Sequence, residues 1–180
     1  MKAIETAYRG YRFRSRLEAR WAIYFDEIGI EWEYEPEGFE FDNGIRYLPD
    51  FFFPQVKLWG EVKAGRFSQK ELEKVKMLVK GTEQSCILLE GTPDERSYAL
   101  VGKATDSDEI IVGEESGYDC VISMYHNYPR DEGRFYTHTG GLTEADFEWN
   151  GLFDDVREAV HSARSARFEF GENGKSPTSR

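Results

Sequence analysis

An α/β fold built on one mixed sheet is predicted by three observations. Apolar residues recur at helical spacing from Leu17 to Ile28, alternation of strand type runs from Ile30 to Lys63, and a second amphipathic helix leads into the short apolar run Ser85–Leu89. Helix, three strands, helix, strand is therefore the expected core order, spanning about residues 13–101.

The first helix is well punctuated. Ser15 is placed to cap it with Glu18 three residues on, Leu17, Trp21, Tyr24 or Phe25, and Ile28 form the apolar stripe, and Gly29 supplies the stop. Residues before Phe13 show no clear period and are expected to form an arm lying on that helix. Beyond it, Ile30, Trp32 and Tyr34 alternate with Glu31, Glu33 and Glu35, the pattern of a strand with one wet face. Phe39 and Phe41 extend the alternation to Asp42-Asn43-Gly44, a hairpin turn, after which Ile45, Tyr47 and Pro49-Asp50 form the return strand. Pro49 lacks an N–H to give to a ladder, so this strand is expected at an edge or bent. Leu58–Lys63 reads as the third strand.

Leu72, Val75, Leu78 and Val79 share one face of the second helix, with Lys70, Lys74 and Lys76 off it and Gly81 as the expected end. Ser85–Leu89 suits a buried strand, and Ser97–Val101 a weaker one. Residues 103–149 read as an insertion with two strands, and 151–168 as a C-terminal helix with Leu152, Val156, Ala159 or Val160, and Ala163 inward. Arg164 and Arg167 near its end are placed to complement the helix dipole or, alternatively, to touch a phosphate. The polar stretch 171–180 is expected to be a disordered tail, leaving a single domain over 1–170.

The chain has 180 residues and 15% aromatic residues, enough to bury a real core without disulfides. Cys86 and Cys120 show no CxxC spacing, no secretory leader is apparent at the start, and no apolar run reaches bilayer length. A cytoplasmic location is expected. Cys120, His126 and His138 match no standard zinc spacing, so zinc is not expected. The net charge of −11 argues against a uniformly phosphate-binding surface, yet arginines crowd the N-terminal end and acids crowd 106–119. A polarised molecule is expected, its basic rim drawn from Arg9, Arg12, Arg14, Arg16, Lys70 and Lys74.

Chemistry concentrates in Pro49-Asp50 and in Glu61-Val62-Lys63. On a strand, Glu61 and Lys63 point to one face and Val62 to the other. The meander would put Asp50 on the neighbouring strand, where two carboxylates approach one cation. An acid pair that shares a cation, with an ammonium on the same wall, can activate a water and neutralise developing negative charge.

Pro-Asp, a gap, then Glu-x-Lys resembles the PD-(D/E)xK signature of the restriction-endonuclease-like nucleases, over roughly Ser15–Leu89. Small stand-alone phage and bacterial members look most similar. The resemblance implies a core of order αβββαβ carrying a variable insertion, and a Mg²⁺- or Mn²⁺-dependent endonuclease acting on DNA. It implies Asp50, Glu61 and the Val62 carbonyl as metal ligands, with Lys63 orienting or deprotonating the water. In many relatives a first-helix glutamate borders the metal, which would add Glu18 to the catalytic set; helix capping explains Glu18 equally well. A homodimer would suit cutting of two strands. The alternative from another class is a catalytically idle binding module on the same fold, acting in a larger complex or against a host defence factor. An acidic DNA mimic fits the charge but not the arginine cluster.

Overall fold

The computed structural model describes residues 4–94, 97–104, 107–113, 119–125, 132–138 and 153–168. The acids Asp106, Glu114 and Glu115, His126, all of 139–150 and the expected tail from 171 lie outside the described residues.

The chain opens on a small hairpin, β1 (Thr6–Tyr8) and β2 (Tyr11–Phe13), followed by α1 (Arg16–Glu27). Next come β3 (Glu33–Tyr34), a second hairpin of β4 (Phe39–Glu40) and β5 (Arg46–Tyr47), then β6 (Phe51–Phe53) and β7 (Leu58–Lys63). Helix α2 (Gln69–Thr82) leads to β8 (Cys86–Glu90), β9 (Ser97–Lys103), β10 (Ile110–Val112), β11 (Asp119–Tyr125), β12 (Glu132–His138) and α3 (Phe153–Ser165). The main sheet runs β12-β11-β9-β8-β7-β6-β3, with β10 paired to β9. Among the described strands β7 and β8 are parallel and the other neighbours antiparallel, so the fold is mixed α/β, with three helices among the described residues.

Helices cover both faces of the sheet because the central strands are apolar on both sides. From β8, Ile87 and Leu89 join the core that holds Trp21 and Phe25 of α1, Ile28 at its C-cap, and Val156, Ala159 and Ala163 of α3. Cys86 and Leu88 turn the other way, to Val75, Leu78 and Val79 of α2. Strand β7 splits likewise, with Leu58 in the first core and Trp59 in the second. Gly60 lies under the aromatic run: a Cβ there would stand 2.8 Å from Cε2 of Phe53 and 3.3 Å from Cβ of Phe51.

The structure departs from the sequence expectations at four points. The N-terminal arm is the β1–β2 hairpin, turned at Arg9 and Gly10, both at positive φ (48° and 87°). Phe39–Tyr47 forms a two-stranded sheet of its own, so the strand carrying the Pro49-Asp50 step is split into β5 and β6. β6 is internal, between β3 and β7, and Pro49 lies just outside the ladder. Helix α2 does not stop at Gly81: it runs to Thr82, whose hydroxyl donates back to the Leu78 carbonyl (2.9 Å), and Glu83 takes the left-handed turn at φ 56°. Within the expected insertion, β11 and β12 extend the main sheet and β10 adds a third strand.

Candidate active site

Antiparallel pairing of β6 and β7 sets Phe52 opposite Trp59 and Phe51 opposite Gly60. One step further along the same register, Asp50 stands opposite Glu61. Both side chains leave the sheet on the face of Trp59 and Phe52, the α2 side. Asp50 is 4% exposed, a costly place for a carboxylate unless it is hydrogen-bonded. Its Oδ2 accepts from the Val62 backbone N–H (2.7 Å) and its Oδ1 from Nη2 of Arg14 (2.6 Å). The Asp50 carbonyl accepts from the Glu35 N–H (2.9 Å), which extends the β3–β6 pairing past Tyr34 and fixes the backbone here.

Glu61 is less completed. Its Oε2 is buried and, like the Tyr47 hydroxyl, meets no group in full hydrogen-bond geometry, although that hydroxyl is close enough to act on the Glu61 carboxyl. Burial pushes the Glu61 carboxyl up to about 7, against the opposing pull of Tyr47 and Arg14. Burial also raises Asp50 well above the usual carboxylate range, reinforced by the charges of Glu61 and Glu18 and only partly offset by the Val62 N–H and Arg14. The Tyr47 hydroxyl is held protonated by burial, with Cys86 and Glu61 adding to the effect. Two neighbouring acids, one buried and one half-buried, that resist ionisation are short of positive charge.

Glu18 is fully engaged at the start of α1. Oε1 accepts from the Ser15 hydroxyl (2.6 Å), and Oε2 from the Tyr34 hydroxyl (2.6 Å) and the Arg14 N–H (3.0 Å). Ser15 Oγ in turn accepts from the Glu18 N–H (3.2 Å), closing the helix cap. Glu18 thus fixes the backbone of Arg14, whose side chain reaches Asp50.

Lys63 shares the face of Glu61 but is ion-paired with Glu71 of α2, and its ammonium lies 5.9 Å from the centre of the Phe67 ring. Lys63, then Ser68, hold the Glu71 carboxyl down at about 2; the other Glu71 oxygen accepts from the Ser68 N–H (2.8 Å) and hydroxyl (2.5 Å). Glu71, Phe67 and Glu61 line a cleft of about 650 Å³ roofed by the β4–β5 hairpin, with Arg14, Tyr47 and Lys74 also on its wall. Among the other expected phosphate contacts, Arg9 pairs with Asp26 (2.5 Å) and Arg12 with Glu5 (2.7 Å), both away from the cleft on the N-terminal hairpin. Arg16 is half-buried on α1 and Lys70 exposed on α2.

Tyr47, Glu71 and Glu35 were not singled out by sequence. Ser68-x-x-Glu71 is a capping-box spacing that could have marked Glu71, whereas nothing in the sequence marks the ion pair of Glu35 with Arg14.

Among the described residues no group of three or more His, Cys, Asp or Glu is assembled to hold a metal. The orphaned Glu61 oxygen beside Asp50 nevertheless fits a hard divalent ion, since Mg²⁺ commonly takes one or two protein carboxylates and keeps several waters. No protein-family model and no curated protein matches the chain. No helix among the described residues is long and apolar enough to cross a membrane.

Proposed function

We propose that this protein is a metal-dependent nuclease of the restriction-endonuclease-like type that hydrolyses DNA phosphodiester bonds. The observation that carries the reading is the Asp50–Glu61 pair, opposed across β6 and β7, with Asp50 buried, the half-buried Glu61 on the wall of a cleft, and both carboxyls held above the usual range. The order α1, then β6 and β7, then α2 and parallel β8 agrees with the αβββαβ core expected of such nucleases.

Asp50, Glu61 and the Val62 carbonyl would hold Mg²⁺ or Mn²⁺, which when bound neutralises phosphate charge and acidifies water. Lys63, released from Glu71, orients or deprotonates the attacking water from the same strand face. Arg14 and Lys74 on the cleft wall serve the phosphates. Glu18 supports the site by fixing Arg14.

A second reading, an idle nuclease-fold binding module, is favoured by one pattern: Arg14 and Lys63 are both tied up by carboxylates of the chain itself. Incubation of the purified protein with plasmid DNA separates the two. Nicking that requires Mg²⁺, stops with EDTA and disappears in Asp50→Ala is expected. Inactivity on duplex, single-stranded and branched DNA with Mg²⁺ and with Mn²⁺ would leave the binding module.

A further inference from the structure

Arg14 occupies an unusual position. Its side chain is 55% exposed, yet Nη2 reaches inward to an Asp50 side chain only 5% exposed. Oδ1 of Asp50 faces this guanidinium and Oδ2 the Val62 amide, so both oxygens already have a donor. Nε of Arg14 is meanwhile ion-paired with Glu35, which is anchored on the Asp50 backbone through its own N–H. One cation thus serves Glu35, just past β3, and Asp50 at the β6 entrance, while Oε2 of Glu61 has no donor in full hydrogen-bond geometry.

We propose that Arg14 is a displaceable internal counter-ion: it neutralises Asp50 when no metal is bound and yields Oδ1 when a divalent ion enters. A guanidinium in direct contact with a ligating oxygen repels a dication at that oxygen, and the repulsion is strong where water is scarce. The two cations therefore compete for Asp50. Tethered by Glu35 and largely exposed, Arg14 can leave Asp50 without leaving the cleft, where its freed fork faces an incoming phosphate. Metal entry would thereby make Arg14 available to substrate, so that metal and DNA assist each other's binding.

This inference rests on the metal-site reading, and one titration separates their failures. Free Mn²⁺ is followed by its electron paramagnetic resonance signal without DNA, for wild type, Arg14→Gln, Asp50→Asn and the double variant, each checked by circular dichroism for native folding. Arg14→Gln is expected to bind Mn²⁺ roughly tenfold more tightly than wild type, equivalent to about 1.4 kcal/mol, and the gain should vanish in the Asp50→Asn background. Equal or weaker binding by Arg14→Gln, with wild type still binding, overturns the counter-ion role and leaves the metal site standing. Absence of binding in both wild type and Arg14→Gln overturns the metal site and the counter-ion role together.

Discussion

The Lys63 ammonium is held by the Glu71 carboxylate across the gap between β7 and α2, beside the Phe67 ring. Glu71 lines the cleft and is simultaneously the capping-box acid of α2. If Lys63 works on the attacking water, Glu71 restrains it. Lys63→Ala should lower the cleavage rate by at least about 100-fold while leaving Mn²⁺ affinity unchanged. Glu71→Gln keeps an acceptor for the Ser68 amide but drops the charge, and should raise the rate a few-fold. Single-turnover kinetics on a labelled duplex measures both, and full activity in Lys63→Ala would remove Lys63 from the mechanism.

Glu61 gives the metal-free protein a pH signature. Its folded-state pKa is raised from 4.5 to about 7, so the folded state holds a proton that the unfolded chain releases. That preference stabilises the fold below the unfolded pKa and is lost as pH rises through about 7. Glu61→Gln removes the loss. In EDTA, the variant should match wild type near pH 4.5 and exceed it near pH 8 by about 3 kcal/mol, at about 1.4 kcal/mol per pK unit. Urea unfolding across that range tests it; a pH-independent difference would mean that Glu61 ionises freely.

For Glu18 the hydrogen bonds point to a structural role first. Glu18→Ala deprives Tyr34, Ser15 and the Arg14 amide of their acceptor and should cost about 1–3 kcal/mol. Glu18→Gln, which keeps one acceptor oxygen for the Tyr34 hydroxyl and the Arg14 amide and turns an NH₂ donor toward the Ser15 hydroxyl, should retain cleavage and Mn²⁺ affinity. A Gln variant that folds normally but binds Mn²⁺ many-fold more weakly would make Glu18 a ligand.

Gly60 tests the packing beneath the acid pair. A methyl group there meets the edge of Phe53, which is itself fully buried, so Gly60→Ala should destabilise the protein by about 1–3 kcal/mol in urea unfolding. An unchanged midpoint would mean that Phe53 moves aside freely.

Much of the site was legible in the chain because it follows from strand periodicity. Leu58–Lys63 is β7 over its whole length, and its pairing with the aromatic run sets Asp50 against Glu61. Ser15 and Glu18 advertised the start of α1 through capping chemistry alone. What stayed hidden depends on distant partners or on unremarkable residues. The first hairpin turns at Arg9, a residue type that does not announce positive φ, and its three-residue strands are too short to show a period. Gly81 misled because a glycine near a helix end suggests a stop, although the Thr82 hydroxyl carries the helix one residue on. The ties of Arg14 to Asp50 and of Lys63 to Glu71 join residues 36 and 8 positions apart through long side chains, whose reach no local pattern encodes.

The most direct measurement is anomalous diffraction from crystals soaked in Mn²⁺. A peak within about 2.5 Å of carboxylate oxygens from both Asp50 and Glu61, with the Arg14 guanidinium withdrawn from Oδ1, is the expected result. Mn²⁺ bound only elsewhere on this acidic surface, with Arg14 still seated on Asp50, would contradict it.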